Sequence, residues 1–106
     1  MVNDILNASG VQHRRGRFLH PPRGTYAVFF DNVTTDGPDE HPEWVENHDV
    51  MVELYEPAPD DAAEADMEAA ISAAGLEYEK QDRFWLQTEQ MYQVIYEFSY
   101  IKKRRT

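Results

Sequence analysis

The chain has 106 residues, of which 42% are apolar and none is cysteine. This length and apolar content predict one folded domain over residues 1–106, and the lack of cysteine excludes disulfides and thiolate metal sites. No apolar run approaches the about 20 residues that span a membrane, and the first residues lack the pattern of a signal peptide. We therefore expect a soluble protein, made in a cytoplasm, with no membrane partner.

The net charge of −10 is distributed unevenly along the chain. Residues 24–101 contain only two cations, Lys80 and Arg83, against nineteen carboxylates, a formal charge of −17. The other eight cations lie towards the two ends: Arg14, Arg15, Arg17, Arg23, Lys102, Lys103, Arg104 and Arg105. An acidic body repels the nucleic-acid backbone at long range. The basic ends either pair with the protein's own carboxylates or dock on an acidic surface of another copy or partner.

The first half of the chain predicts a short helix followed by two or three strands. Residues 4–9 form the helix, which Gly10 ends, and the arginines in 11–18 restrict that segment to an edge strand. Residues 25–30 are apolar at both parities, which is typical of an interior strand. The acidic, turn-rich stretch 32–43 predicts a surface loop. The residues of this loop that could contact a partner are Asp36, Asp39, Glu40 and His41.

The second half predicts a strand, one helix and a hairpin. Residues 49–56 alternate as a strand does, and the acidic start and apolar face of 60–74 predict an amphipathic helix that ends at Gly75. Residues 76–86 predict a strand that forms a hairpin with 90–101. The fold class is therefore α+β, a mostly antiparallel four- to five-stranded sheet with helix 60–74 packed on one face and a short N-terminal helix.

The strand predicted over 90–101 has the clearest periodicity in the sequence. Its even positions are all aromatic or β-branched: Tyr92, Val94, Tyr96, Phe98 and Tyr100. This face is expected to pack in the core under helix 60–74, whereas the odd face mixes apolar and polar residues. The odd face is either covered by the N-terminal segment or left as an oligomer surface. The candidate interface residues are Trp44, Met51, Tyr55, Ile95 and Ile101, with Arg14, Arg15, Arg17, Lys102 and Lys103 from the basic ends.

The residue types that carry catalysis or bind metals form no recognisable motif. The four histidines lack the spacing of a metal site, and the acidic loop lacks the ligand series of a calcium loop. No nucleophile motif and no glycine-rich phosphate-binding loop occurs. We predict no catalytic residues, no metal, no cofactor and no enzyme activity.

Three stretches, in order, resemble a known family. Residues 18–29 have an aromatic residue, a double proline and an apolar strand, and 47–56 have a central strand that leads into an acidic helix start. Residues 75–80 together with 89–98 have the pattern of a C-terminal hairpin. The chain thereby resembles the small tail terminator, or tail-completion, proteins of long-tailed bacteriophages. The basic tail Lys102–Arg105 and the loop 36–43 depart from that pattern.

The resemblance implies a structural virion protein at the head–tail junction. Its members form a ring, usually hexameric, that caps the finished tail tube, ends its polymerisation and joins it to the head connector or stopper protein. DNA would pass through the ring lumen without specific binding, and lumen carboxylates would keep it from sticking. The acidic loop 32–43 is the candidate tube- or connector-facing element; retained tail length and head joining after deletion of 36–41 would refute this.

Two other functions are compatible with the sequence. The first is an acidic inhibitor that mimics DNA and occupies a DNA-processing protein, which the charge of −17 on residues 24–101 favours. The second is another component of the head–tail joining region. A small enzyme has no residues to support it.

Overall fold

The computed structural model describes residues 1–36 and 43–105, without the side chains of Asp36, Glu43, Trp44, Arg104 and Arg105. Two helices and six strands follow in the order α1 (Val2–Ser9), β1 (Gln12–Arg15), β2 (Tyr26–Asp36), β3 (Glu43–Glu56), α2 (Asp61–Ala73), β4 (Glu79–Lys80), β5 (Phe84–Leu86) and β6 (Met91–Arg105). The strands form one sheet in the order β1-β2-β3-β6-β4, and β5 also pairs with β6.

The α+β fold class is confirmed, but the sheet is mixed and has six strands. β1 pairs in parallel with β2, whereas all the other pairs are antiparallel. A parallel pair needs a connection long enough to return along the sheet, and residues 16–25 supply it. β1 lies at the edge of the sheet, as its arginines predict.

α1 ends before Gly10 and α2 begins after Asp60, as the sequence indicates. Gly10 follows α1 with a φ of 75°, a left-handed conformation that glycine adopts without strain. Asp60 caps α2, since its Oδ1 accepts a hydrogen bond of 3.1 Å from the backbone N–H of Ala63. Thr25 Oγ1 donates a bond of 2.6 Å to the other carboxylate oxygen, which ties the start of α2 to the residue before β2. The helix predicted over 60–74 is thus confirmed.

The core lies between the two helices and one face of the sheet. Leu6 of α1 and Met67 and Ile71 of α2 are fully buried against it. From β6, Val94, Tyr96 and Phe98 face this core, which confirms the prediction for these three even positions. Tyr100 packs against the core in part, whereas Tyr92 packs on Trp85 instead. The helices cover this helix-side face alone, so the opposite face of the same strands, here called the open face, lacks a helix layer.

Two predicted element boundaries are wrong. Residues 32–36 are not loop, because β2 continues to Asp36 and pairs with β3, which begins at Glu43. The β-branched residues Val33, Thr34 and Thr35 favour this extension. Residues 37–42 lie outside the described part of the chain, and so do the loop candidates Asp39, Glu40 and His41.

The single strand predicted over 76–86 is instead two short ones, β4 and β5. Between them the chain leaves the ladder, and Arg83 reaches the carboxylates of α2. The hairpin itself is confirmed, since Leu86 pairs with Met91 across the turn. Within the described residues, no helix is both long and apolar enough to span a membrane.

Candidate assembly surface

The open face is built from the residues of β2, β3 and β6 that alternate with the core residues. Cross-strand register places Phe30, Met51 and Glu97 side by side in one row. The next two rows are Val28, Glu53, Ile95 and Tyr26, Tyr55, Gln93. Because side chains of neighbouring strands in register lie close together, these rows form one continuous surface of apolar groups interspersed with carboxylates.

One end of the open face is covered by the segment that follows β1. Phe18 packs edge-on against Tyr26 with ring centroids 5.4 Å apart, and Tyr26 stacks on Tyr55 at 5.2 Å. Val28 is only 4% exposed as a result. Tyr55 donates a hydrogen bond to Glu53 at 2.9 Å and accepts one from Gln93. Burial, followed by this bond to Glu53, raises the pKa of Tyr55 to about 12. The N-terminal segment therefore covers part of the open face.

The rest of the open face remains accessible. Phe30 is 41% exposed and Ile101 is 66% exposed, while Met51 and Ile95 are half-buried between them. Phe84 of β5 pairs with Gln93 at the edge of the same face and is 64% exposed. Large apolar side chains grouped in this way on an exposed surface usually mark an association site.

Four of the predicted interface residues share this face, namely Met51, Tyr55, Ile95 and Ile101. Tyr55 is engaged by Glu53 and Gln93 within the chain. The side chain of Trp44 lies outside the described residues. Phe30 and Phe84 were missed. The period-2 pattern of β2 could have found Phe30, since it has the parity of Val28.

Three of the five predicted basic residues lie in or beside one groove on the helix-side face. This cationic groove, of about 650 Å³, is defined by Arg15 and Lys102, with Asp31, His48 and Tyr100 below them; Arg14 lies at its rim, because its register with Val28 directs its side chain to the open face. It runs from the β1 edge across the sheet, past the start of α1. Arg17 and Lys103 are exposed and lie outside the groove.

The floor of the cationic groove contains a compact polar cluster. His48 Nδ1 lies 3.0 Å from the Asp31 carboxylate and Nε2 lies 3.1 Å from Glu46 Oε1. The His48 ring stacks on Tyr100 with centroids 4.4 Å apart and planes 9° from parallel. The Asp31 carboxylate is therefore engaged by His48.

A second groove, of about 850 Å³, lies at the opposite edge of the sheet. This acidic groove is defined by Asp49, Glu77, Glu79 and Glu97, and it extends from the open face towards the β4 edge. Ser99 donates a hydrogen bond to Asp49 and Gln81 donates one to Glu97. Within residues 1–36 and 43–105, none of the four carboxylates forms an ion pair.

A network of charged residues that the sequence did not reveal joins α2 to the strands beside it. Arg83 Nη2 lies 2.6 Å from Glu64 and 2.8 Å from Asp61, and its Nε lies 3.2 Å from Glu56. Lys80 Nζ pairs with Glu64 at 2.9 Å and with Glu68 at 2.8 Å. Although Glu64 is charged and belongs to the acidic start of α2, it is only 5% exposed. Its position three residues before Met67 was the available signal.

The two most buried carboxyls of this network differ in protonation. Burial, then a hydrogen bond to Glu64, raises the pKa of Glu56 to about 7. Burial acts against ionisation of Glu64 too, but hydrogen bonds from Glu56, Lys80 and Arg83 lower the pKa of Glu64 to about 2. Glu56 Oε2 receives no donor from the described residues, so a proton shared with Glu64 satisfies the pair. The network fastens α2 to β4 and the end of β3.

The described residues hold no group of three or more side chains arranged to bind a metal ion. The prediction that the chain is not an enzyme stays a prediction.

No protein-family model and no curated protein sequence matches this chain. Among solved structures, it is similar to a chain of the virion of a native gene transfer agent (GTA) particle, with a TM-score of 0.57 and 16% sequence identity. The similarity covers 90% of this chain and 81% of that chain. At this identity it establishes a common fold.

Proposed function

We propose that the chain is a structural protein of a phage-related virion. In finer detail, it forms a ring at the head-proximal end of the tail tube, ends tube polymerisation and joins the tail to the head connector. The observation that carries the proposal is the fold shared, over most of both chains, with a component of a gene transfer agent virion.

The open face suits a protein that works as an assembly. Phe30, Phe84 and Ile101 are large apolar side chains that the monomer leaves exposed. Contact with a neighbouring copy would remove this surface from water, at about 25 cal/mol for each Å² of apolar area buried. Repetition of one such contact by rotation closes a ring, and a hexamer is the stoichiometry that the family resemblance implies.

The charge of the chain is compatible with DNA passing through the ring. Residues 24–101 carry a formal charge of −17. Carboxylates repel phosphate groups, and they do so more strongly at low salt. We infer that a lumen lined by such a chain lets DNA pass without specific binding.

Polymerisation of the tail tube protein from the same genome tests the function. We expect added wild-type chain to shorten the tubes, and labelled chain to appear at one end of each tube in electron micrographs. Ile95→Asp should lose this effect, because it places a charge on the open face. Leu19→Asp, at an exposed apolar residue in the segment after β1, is the matched control and should retain it. Unchanged tube length and unlabelled ends would refute the proposal.

A DNA-mimic inhibitor is the second candidate, and the acidic groove favours it. Four carboxylates without ion pairs among the described residues could take the place of phosphates on a DNA-processing protein. Such an inhibitor would act as a monomer and bind that enzyme tightly. A chain that stays monomeric, ignores the tube protein and captures a DNA-processing protein would establish this alternative instead.

A further inference from the structure

The two grooves carry opposite charge and lie at opposite sides of the molecule. The cationic groove begins at β1, the first strand in the sheet order, and lies on the helix-side face. The acidic groove lies beside β4, the last strand in that order, and opens on the open face. Neither groove can therefore reach the other within one copy.

The cations of the cationic groove lack partners in the described part of the chain. Lys80 and Arg83, the two cations of the acidic body, each pair with two or more carboxylates. Arg14, Arg15 and Lys102 form no ion pair with any described carboxylate, and all three are exposed. Arg15 donates only a long bond of 3.4 Å to the carbonyl of Asp31. Arg14, Arg15 and Lys102 thus do not serve to neutralise the described acidic groups of their own chain.

We propose that the cationic groove of one copy docks on the acidic groove of the next copy. The inference rests on the proposed function, since it requires self-association, and it names the charged groups that make the contact. Arg15 and Lys102 would face Glu79 and Glu97, with Asp49 and Glu77 beside them. Because the two grooves are different surfaces, the contact is head-to-tail, and its repetition gives a ring when the rotation closes.

A second copy fits the cationic groove better than a nucleic acid does. The chain as a whole has a net charge of −10, so a long polyanion approaching the groove is repelled by the rest of the molecule. A copy of the chain presents its carboxylates at one local groove, where short-range pairing outweighs the diffuse repulsion between the acidic bodies.

Complementary charge reversal tests the docking directly. Arg15→Glu with Lys102→Glu gives one variant, and Glu79→Lys with Glu97→Lys gives the other. In an assembly of either variant alone, every contact would bring like charges together, so we expect the assembly seen for the wild type to be lost. Circular dichroism should show that each variant is still folded. An equimolar mixture should assemble again, because every contact in an alternating order is then between opposite charges. Native mass spectrometry would count both variants in the assemblies.

The outcomes separate the docking from the proposed function. Assembly of the wild type without recovery in the mixture would overturn the charge docking and leave the ring proposal standing. A wild-type chain that never self-associates, with or without the tube protein, would overturn both. Binding of duplex DNA that Arg15→Glu with Lys102→Glu abolishes would assign the groove to nucleic acid and also overturn the docking.

Single cysteines provide a readout that tolerates weak association. The chain has no cysteine of its own, so Arg15→Cys and Glu79→Cys each introduce one unique thiol. A short thiol cross-linker added to the mixed proteins should give mainly the dimer that joins position 15 to position 79. Dimers of like positions in equal yield, or no cross-linking at the highest attainable concentration, would contradict the head-to-tail contact.

Discussion

The two faces of the sheet are built from the same strands but have opposite environments. On the helix-side face, Val52, Leu54 and Val94 are fully excluded from water by α1 and α2. On the open face, one residue away along the same strands, Met51 and Ile95 are only half-buried. The helix-side face therefore stabilises the monomer, while the open face retains apolar surface for a neighbour. Substitutions on the helix-side face should therefore change the unfolding free energy, and substitutions on the open face should change assembly.

The largest effect is expected from truncation on the helix-side face. Ile71 of α2 is fully buried, and Ile71→Ala leaves a cavity in the core. Substitutions of this kind cost about 2–5 kcal/mol of unfolding free energy. Urea denaturation followed by circular dichroism measures the loss. If Ile71→Ala cost less unfolding free energy than Ile101→Ala at the exposed position, the assignment of Ile71 to the core would be wrong.

The next largest effect is expected at the charged network of α2. Arg83→Ala removes the cation shared by Glu56, Asp61 and Glu64, and leaves buried carboxyls with fewer partners. We expect a loss of about 1–3 kcal/mol, because Lys80 still pairs with Glu64. Arg15→Ala is the matched control, and it should change the unfolding free energy by less than about 0.5 kcal/mol. Thermal unfolding of the two variants compares them, and equal losses would contradict the network.

The pH dependence of stability should report the proton held by Glu56. Its pKa is raised from 4.5 to about 7, so between these values the folded chain binds more protons than the unfolded chain. The contribution of Glu56 to stability is therefore present below pH 4.5 and is lost as the pH rises towards 7, by at most about 1.4 kcal/mol per pH unit. Glu56→Gln keeps a donor for Glu64 but cannot titrate.

Comparing unfolding free energies of wild type and Glu56→Gln across this range isolates that contribution. The variant should gain stability relative to wild type as the pH rises from 4.5 to 7. The lowered pKa of Glu64 acts in the opposite direction but below pH 4.5, where stability rises with pH, so the two effects do not overlap. Parallel pH curves for the two proteins would contradict the raised pKa.

The smallest effect on folding is expected on the open face. Ile101→Ala removes an exposed side chain and should change the unfolding free energy by less than about 0.5 kcal/mol. If the open face is an assembly surface, the same change should lower the fraction of assembled chain in sedimentation velocity runs. If Ile101→Ala lowered the unfolding free energy of the monomer but assembled normally, the open face would contribute to folding and not to assembly.

The sequence predicted those parts of the fold that depend on local pattern. The alternation in β6, glycine after α1 and the acidic start of α2 each have a local physical cause, and each is found in the structure. Prediction failed where tertiary contacts decide. Turn-forming residues suggested a loop over 32–43, yet pairing with β3 extends β2 to Asp36. Gln81 still donates its backbone N–H to Ile95 of β6, but at Arg83 the chain is held by α2 and the strand is interrupted.

The candidate surface could be predicted only in part for the same reason. The odd face of β6 and its residues Ile95 and Ile101 follow from the period of a strand. The two grooves do not, because Arg15 and Lys102 line one groove only through the order and register of strands that are far apart in sequence. Whether a cation has a carboxylate partner likewise depends on residues that are distant in sequence. A local sequence pattern does not identify these residues.

Native mass spectrometry of the wild type, Ile95→Asp and Leu19→Asp, alone and with the tube protein, tests most directly whether the open face is an assembly surface. The account predicts ring-sized assemblies for the wild type and Leu19→Asp, and a folded monomer for Ile95→Asp. If Ile95→Asp assembles as the wild type does, the interface lies elsewhere; if the isolated variant is unfolded, that face is part of the interior and the distinction between the two faces is wrong.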